Sequence, residues 1–269
     1  LTLDRGYTEV ELDNVIRNFY KEQNLSSREN ELREIIYEDL LEFCHDMRPS
    51  PGCYPPGILL ASTWDNEIIN EVGKALGLEA RFYNQNILLG TPNINILRDV
   101  RNGRFFEGYS EDPYLTSCLG SELVKGVESQ GIASNIKHFA ANNLEINRVG
   151  INEIISDRAL REIYLPAFKT CVEAGASTVM ASYPAINGTN CTENHWLLTE
   201  VLRDEWGFEG LVMTDWGACT TKESSCVRAG LDLIMPGPWK YDEIIEAFNS
   251  GQLSEESINR AAENVIKVA

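Results

Sequence analysis

The sequence is poor in the residues that bind metals and lacks the motifs that bind nucleotides. It has only three histidines, and none of its seven cysteines belongs to a Cys-x-x-Cys pair. Carboxylate clusters at the spacing of metal ligands are also absent, so we expect no metal site and disfavour a metal-dependent hydrolase. No Gly-x-Gly-x-x-Gly follows a predicted strand, and Gly-x-x-x-x-Gly-Lys does not occur. We therefore expect no nucleotide and no other cofactor.

Long apolar runs and blocks of basic residues are missing as well. No apolar run approaches the ~20 residues that a membrane helix requires, and no signal peptide is recognisable. The formal net charge is -18, and an acidic surface repels nucleic acid and anionic membranes. We expect no nucleic-acid or membrane partner and a small neutral substrate, although the charge also serves solubility.

Cysteine usage bears on the compartment. The cysteine count is odd, and residues such as Cys171 and Cys226 lie in apolar helical contexts typical of small core side chains. This favours reduced thiols and a cytoplasmic location. Secretion is the alternative, since three Asn-x-Ser/Thr sequences match the glycosylation pattern.

The first fifty residues differ from the rest of the chain. In 1–50, apolar residues recur at helical spacing and no motif carries chemistry, which predicts a helical extension. From 51 to 269, predicted strands alternate with helices of ten or more residues, as in a parallel sheet with right-handed crossovers. The predicted class is α/β, with 51–269 forming a (β/α) TIM-like barrel catalytic domain.

The pattern predicts fewer strands than the eight of a complete barrel, so we expect an incomplete or irregular one. The predicted strands are 57–62, 86–90, 133–139, 176–183, 210–214 and 231–235. The predicted helices are 65–80, 112–129, 157–173, 194–205, one that ends at 228, 241–248 and 255–268.

Asp215 is the most informative residue. It directly follows the apolar and β-branched run Leu211–Thr214, and Trp216 and a glycine come next. Parallel α/β folds place their chemistry at the carboxyl ends of the strands, which makes this carboxylate a catalytic candidate. The structural alternative is an Asp that caps the following helix.

Two other predicted strands end in polar residues. Lys137 and His138 end the strand at 133–139, and Tyr183 ends the strand at 176–183. Taken singly, the first two could be surface loop residues and Tyr183 an aromatic of the rim. Because parallel strands end at one edge, we expect all three near Asp215.

Two arginines lie in loops that belong to the same rim. Arg104 is in the 98–113 loop, which is too long for a bare connector, and Arg148 ends the polar loop 142–148. The alternatives are that Arg104 pairs with Glu107 as loop scaffolding and that Arg148 is a solvated charge.

Together these residues predict a polar pocket with one anionic centre. Arg, Lys and His side chains suit a ligand rich in hydroxyls, and Trp216 offers a flat face for a sugar ring. We expect the nearby cations to hold Asp215 ionised, so that it can attack an anomeric carbon.

The stretch from about residue 54 to 236 resembles family 3 glycoside hydrolases, the β-glucosidase and β-xylosidase group. Four of the matching motifs are Gly-Arg-Phe-Phe-Glu-Gly-Tyr-Ser-Glu-Asp-Pro at 103–113, Ile-Lys-His-Phe-Ala-Ala-Asn-Asn at 136–143, Asp-Arg-Ala-Leu-Arg-Glu-Ile-Tyr-Leu-Pro at 157–166 and Val-Met-Thr-Asp-Trp-Gly at 212–217. Their order and spacing match over most of the chain.

The resemblance implies a barrel domain and a retaining mechanism on a terminal β-linked glucose or xylose, with Asp215 as the nucleophile. Trp216 would form a wall of the sugar subsite. The hydroxyls of the sugar would be held by Arg104, Lys137, His138, Arg148 and Tyr183. The N-acetylglucosaminidase branch is disfavoured, because Ala-Ala-Asn-Asn at 140–143 replaces its Pro-Gly-His-Gly loop.

The sequence departs from the family pattern at two places. The opening strand with its Asp-Gly-Pro turn has no recognised counterpart before Cys53. The family typically takes its general acid/base Glu from a following sandwich domain, and we expect the barrel to end near Ala269. Retaining hydrolysis needs a second carboxyl group roughly 5 Å from the first. The in-chain candidates are Glu107, Glu111, Glu145 and Glu193.

We expect this acid/base from outside the chain, on a second α/β domain or another chain. The sequence then describes a fragment of a longer enzyme or one segment of a rearranged polypeptide. The rival hypothesis is a sugar-binding or structural protein that kept the pocket and lost turnover.

Overall fold

A computed structural model of the chain describes residues 51–237 and 240–269, so the extension predicted for 1–50 lies outside the described residues. The helices in chain order are α1 Gly57–Ala61, α2 Asn66–Phe82, α3 Pro113–Glu128, α4 Asp157–Ala159, α5 Pro166–Glu173, α6 Glu223–Ala229, α7 Tyr241–Asn249 and α8 Glu255–Val268. The strands are β1 Ile87–Leu88, β2 Ala133–Phe139, β3 Asn152–Glu153, β4 Thr178–Ala181, β5 Ala185–Ile186, β6 Thr189–Asn190 and β7 Leu211–Thr214. Two π-helices, Leu160–Tyr164 and Trp196–Glu205, and two 3-10 turns, Phe105–Glu107 and Cys191–Glu193, complete the described elements.

A parallel sheet forms the centre of the described chain. Its four strands lie in the order β1-β2-β4-β7. Isolated parallel bridges from Asn93 to Lys137 and from Met213 to Leu233 extend it at both edges. Strands that follow one another in chain order without a reversal are typical of a barrel, whereas a doubly wound sheet reverses direction. This order confirms the predicted α/β class and agrees with an incomplete barrel.

Three long helices begin where the sequence predicts, because a polar side chain caps each one. Asp65 accepts hydrogen bonds from two backbone N–H groups in the first turn of α2, and Asp112 accepts one at the start of α3. Ser254 accepts the N–H of Ser257 at the start of α8. Caps of this kind satisfy N–H groups that the helix itself leaves without partners.

The strand predicted at 57–62 is wrong, since Gly57–Ala61 is helical. A short apolar run fits a buried helix turn as well as a strand. The carbonyl of Pro56 decides between them, because it accepts the N–H groups of Leu59 and Leu60, both at 3.0 Å. A Cβ at Gly57 would collide with the carbonyl oxygen of Glu107, so glycine is needed for this close approach.

The strand predicted at 231–235 is also wrong, because only Leu233 forms a bridge. Pro236 follows and cannot donate to a ladder. The preceding Met235 bonds instead to a side chain, its N–H donating to Thr214 Oγ1 at 2.8 Å. The carbonyl of Met235 still accepts the N–H of Gly217 at 2.7 Å, so the backbone stays beside β7 without forming a regular strand.

A smaller sheet, which the sequence did not predict, orders the loop that carries Arg148. β3 pairs parallel with β5, and β5 pairs antiparallel with β6. Since β5 follows closely after β4, this sheet ties the loop after β2 to the chain after β4. No helix within the described ranges is both long and apolar enough to span a bilayer.

Glu128, at the end of α3, joins the amino ends of β2 and β4. Its Oε1 accepts the backbone N–H of Ser134 at 2.8 Å and that of Ser177 at 2.9 Å. Both serine hydroxyls also donate to this carboxylate, at 2.7 and 2.8 Å. One side chain thus satisfies four donors at the strand ends opposite Asp215.

Asp232 is a second buried anchor, with a side chain that is 0% exposed. Its Oδ2 accepts from Arg203 of the π-helix Trp196–Glu205 at 2.7 Å and from the N–H of Val212 in β7 at 2.9 Å. Arg260 and Asn264 of α8 donate to the same carboxylate at 3.2 and 3.1 Å. A buried charge with several charged and polar partners stabilises the fold only while all of them remain.

We expect Asp232→Ala to lower the free energy of unfolding by about 3–5 kcal/mol, because it leaves the largely buried Arg203 without its carboxylate. Urea unfolding followed by circular dichroism measures the change. Glu162→Ala, which removes an exposed partner of Arg158, is the control and should not shift the midpoint measurably. Equal midpoints for the two variants would contradict the role of Asp232.

Candidate active site

The carboxyl ends of β2, β4 and β7 bring the predicted site residues together. Backbone bonding continues one residue past the strands, with Asp215 N–H donating to Ala181 O at 2.9 Å and Ser182 N–H to Phe139 O at 2.8 Å. Asp215 is therefore held at the sheet edge by the backbone, and it does not cap the next helix. The N-cap position of α6 belongs to Lys222.

A bulge at the end of β2 lets two consecutive residues serve this edge. Ile136 pairs with Val179 and Phe139 with Ala181, so β2 has one more residue than β4 in this interval. Such a bulge re-aims side chains that would otherwise alternate between the two faces of the sheet. Lys137 and His138 lie in the bulge and are 9% and 1% exposed.

The two oxygens of the Asp215 carboxylate have different surroundings. Oδ1 accepts the backbone N–H of Trp216 at 2.7 Å. Oδ2 is buried, has no hydrogen-bond partner and lies 3.5 Å from Nε2 of His138. Among the described residues, no other carboxylate has a buried oxygen without a partner. One oxygen is thus anchored and the other is free to react.

Burial raises the pKa of Asp215 above its usual value. The Trp216 N–H and the charges of Arg104, Arg148 and Lys137 act in the opposite direction but do not outweigh it. The three cations thus favour the ionised form of Asp215, as the sequence predicted. They limit a shift that desolvation would otherwise make larger.

The surroundings of His138 favour its neutral imidazole form. Burial lowers its pKa well below the usual value, and the charges of Lys137, Arg104 and Arg148 lower it further. Its Nε2 lies 2.9 Å from Nη1 of Arg104. The contact with Asp215 is therefore not an ion pair.

Arg104 pairs with Glu107, as in the scaffolding alternative, and it also contacts His138. Its Nε and Nη2 donate to the two oxygens of Glu107 at 2.8 and 2.6 Å, which is a bidentate scaffold of the loop. Its Nη1 reaches His138 instead. Burial opposes ionisation of Glu107, but the hydrogen bonds and charge of Arg104, together with the charges of Lys137 and Arg148, hold the pKa of Glu107 below its usual value.

Arg148, Tyr183 and Trp216 form the other side of the site. The guanidinium carbon of Arg148 lies 4.2 Å from the Tyr183 ring centroid, and its Nη1 donates to Glu145 at 2.6 Å. The Tyr183 hydroxyl donates to the carbonyl of Trp216 at 2.5 Å, so in this structure it braces the loop after Asp215. The Trp216 side chain is exposed, at 53% for the residue, and can contact a ligand.

The four in-chain candidates for a general acid differ in their surroundings. Glu107 is held as a carboxylate by Arg104, and Glu145 accepts from Arg148. Glu193 accepts from Asn190 and from Thr221. Glu111 is exposed. The pairing of Glu107 makes it a poor proton donor, since a general acid needs a raised pKa.

Asn95 is a site residue that the sequence interpretation missed. Its amide bonds to the backbone of His138 through both ends, with Nδ2 donating to His138 O at 2.9 Å and Oδ1 accepting His138 N–H at 2.8 Å. The alternation of asparagine and isoleucine over 93–96 is the signal that could have found it. Ile94 and Ile96 are buried in the core, and alternate side chains of an extended segment point the other way.

Within the described residues, no group of three or more His, Cys, Asp or Glu side chains is arranged to hold a metal ion.

Known proteins resemble this chain over most of its length. A β-glucosidase from Rhizobium radiobacter is 46% identical over 219 residues, which is 80% of this chain and 26% of that protein. The thermostable β-glucosidase B of Acetivibrio thermocellus is 47% identical over 80% of this chain and 29% of its own. An exo-α-(1→6)-L-arabinopyranosidase from Bifidobacterium longum is 46% identical, with 80% of this chain and 28% of that protein covered.

A solved structure of a β-glucosidase is also similar to this chain. β-Glucosidase 3B from Thermotoga neapolitana, in complex with α-D-glucose, superposes with a TM-score of 0.78 at 44% identity, covering 83% of this chain and 33% of that one. The predicted TIM-like barrel class is thereby confirmed. The chain spans about a quarter to a third of the length of these relatives.

The model of the glycosyl hydrolase family 3 N-terminal domain matches residues 8–268. The family match thus begins at residue 8, well before residue 54, where the resemblance based on motifs begins. The chain belongs to glycosyl hydrolase family 3.

Proposed function

We propose that this chain is the nucleophile-bearing barrel domain of a retaining exo-β-glycosidase that acts on terminal β-linked glucose or xylose. The Asp215 carboxylate carries the proposal. Its Oδ1 is fixed by the Trp216 N–H, and its buried Oδ2 has no partner. A carboxylate with one oriented oxygen and one unsatisfied oxygen is what nucleophilic attack requires.

In the first step, Oδ2 attacks the anomeric carbon and forms an ester. The bond from that carbon to the leaving oxygen breaks, and its electron pair departs with the oxygen, which takes a proton from a general acid. In the second step, water attacks the same carbon, loses its proton to the conjugate base and releases the Asp215 carboxylate.

The surrounding groups suit the binding of an uncharged sugar. The cationic side chains of Arg104, Lys137 and Arg148 are close enough to Asp215 to lower its pKa, and they can donate to hydroxyls at the same mouth. The exposed Trp216 provides an apolar face for the ring. We assign these groups, with His138 and Tyr183, to the subsite of the terminal sugar.

The relatives point to terminal pyranoses but do not select one. Some of them are named β-glucosidases, and two are named exo-α-(1→6)-L-arabinopyranosidases. A panel of aryl β-glucoside, β-xyloside and α-L-arabinopyranoside separates these sugars. The first two differ by a hydroxymethyl group and the last two by the configuration at C4, and one small group changes rates by about 10- to 200-fold.

We also propose that the general acid/base comes from outside this chain, on a second α/β domain or another chain. The short length relative to the relatives supports this assignment, as does the pairing of Glu107 with Arg104. The alternative function is a sugar-binding or structural protein without turnover. An aryl β-glucoside with a good leaving group separates the two, because it needs little acid assistance. Slow release with a covalent adduct supports the enzyme, whereas bound sugar without release or adduct supports the binding protein.

Asp215→Asn should abolish covalent labelling by an activated 2-deoxy-2-fluoro glycoside, as followed by intact mass. Burial raises the pKa of Asp215, so its ionised form destabilises the folded state above that pKa. The neutral amide should therefore give an unfolding midpoint no lower than that of the unmodified chain. Labelling that survives in this variant would refute the assignment of the nucleophile.

The labelling rate should fall as the pH is lowered through a pKa above the ordinary Asp value of about 3.9, because only ionised Asp215 attacks. Towards alkaline pH the rate should stay level, since the activated leaving group needs no proton. Single-turnover labelling across the pH range measures the profile. An alkaline loss of rate would show that a protonated group is needed even for this leaving group and would contradict the expected profile.

The ratio of rates for an activated and an unactivated aryl glucoside should be the same in Glu111→Gln, in Glu193→Gln and in the unmodified chain. A general acid assists mainly the poor leaving group, so its removal would increase this ratio. Steady-state release of the two phenols gives the ratio. A selective loss of the unactivated substrate in either variant would place the acid within the chain.

A further inference from the structure

Three contacts join Asn95 to His138. Asn95 Nδ2 donates to the carbonyl oxygen of His138 at 2.9 Å, and Asn95 Oδ1 accepts the backbone N–H of His138 at 2.8 Å. The same Oδ1 lies 3.3 Å from the ring nitrogen Nδ1 of His138. Asn95 and the His138 ring are both buried.

The two backbone contacts fix the orientation of the Asn95 amide. A carbonyl oxygen only accepts and a backbone N–H only donates, so the amide nitrogen must face the first and the amide oxygen the second. The oxygen beside Nδ1 is therefore an acceptor without a proton of its own. Nδ1 of His138 must then carry the ring hydrogen.

Arg104 gives the same result from the other side of the ring. Its Nη1 lies 2.9 Å from Nε2 of His138, and a guanidinium nitrogen only donates. Nε2 must therefore present its lone pair. The two ring nitrogens have different neighbours, and both sets of contacts require the same tautomer.

We propose that Asn95 is a positioning residue that selects the Nδ1–H tautomer of His138 and thereby keeps Nε2 an acceptor beside the nucleophile. In this tautomer, Nε2 has no proton to donate to Oδ2 of Asp215, 3.5 Å away. The reacting oxygen keeps its lone pairs for the substrate. The lone pair of Nε2 also directs Arg104 into the site.

The opposite tautomer would disturb both neighbours. An Nε2–H would point towards the N–H of Arg104 and would offer Oδ2 of Asp215 a hydrogen bond that competes with attack on the sugar. Fixing a tautomer through the second ring nitrogen is an established way in which a neighbouring group controls a histidine. The catalytic consequence, though not the tautomer itself, rests on the proposed function.

The tautomer is measured by long-range proton–nitrogen correlation spectra of the whole chain labelled with ¹⁵N-histidine. The sequence has three histidines, and His138→Gln identifies the signals of His138. We expect the Nδ1–H pattern at neutral pH. An Nε2–H pattern, or a charged ring at neutral pH, would overturn the proposal.

Asn95→Leu should shift His138 towards the Nε2–H tautomer, because Nδ1 loses its acceptor. The matched control is Asn135→Leu. Asn135 lies on β2, the strand that carries His138, but its buried amide donates to Thr178 Oγ1 rather than to His138. This control should keep the Nδ1–H pattern. An unchanged tautomer in Asn95→Leu would show that Asn95 does not select it.

Asn95→Asp keeps an acceptor beside Nδ1 and adds a negative charge, at the loss of the amide hydrogen bond to the His138 carbonyl. It should retain the Nδ1–H tautomer and raise the pH at which His138 becomes protonated, as followed in the same spectra. An unchanged protonation midpoint would overturn the contact with Nδ1. This variant decides the question even if Asn95→Leu does not fold.

Covalent labelling then tests the catalytic consequence. In Asn95→Leu, labelling by the activated fluoro-sugar should slow by about 10- to 100-fold, as is usual when a partner that orients a reacting group is lost, while Asn135→Leu labels at the normal rate. Equal rates in the two variants would overturn the positioning role. If the unmodified chain is never labelled, the proposed function fails, and the spectra still decide the role of Asn95 in selecting the tautomer.

Discussion

The parallel backbone ladder between β2, β4 and β7 is the constraint on which the site depends. The ladder runs past the last strand residues, so the N–H of Asp215 bonds to Ala181 and that of Ser182 to Phe139. Residues from three separate parts of the sequence are thereby fixed relative to one another by main-chain bonds.

The site holds a balance between burial and charge. Burial makes ionisation of Asp215 harder, whereas Arg104, Arg148 and Lys137 make it easier. The cations are themselves held by carboxylates, Arg104 by Glu107 and Arg148 by Glu145. A local excess of positive charge is therefore avoided, and the pocket remains suited to an uncharged ligand. Such sites are less stable than an apolar core would be, and the rest of the fold offsets the loss.

Much of the fold could be predicted from local sequence signals. Helices α2, α3 and α8 begin at recognisable caps, and β2 matches its predicted bounds. The predictions failed at 57–62, where the carbonyl of Pro56 accepts helical bonds, and at 231–235, where Met235 donates to the side chain of Thr214. Apolar character alone does not reveal bonds of this kind.

The same distinction applies to the site. Asp215, Lys137, His138 and Tyr183 were predictable because each lies at or just after the carboxyl end of a strand that the sequence pattern predicts. The protonation pattern was not, since it depends on Asn95 contacting a residue 43 positions later. The direction of the Asp215 pKa shift also needs the degree of burial. The sequence pattern indicates which charged residues lie near Asp215, but it does not give the burial that raises its pKa.

Glu128 stabilises the end of the sheet that is opposite the candidate site. It gathers the beginnings of β2 and β4 into one cluster at the end of the sheet that lies away from Asp215. The residues that hold the strands together are thus separate from those that meet a ligand. The loops at the carboxyl ends of the strands can therefore change between relatives of different sugar preference while the strands keep their alignment. This separation makes the fold well suited to the evolution of new specificities.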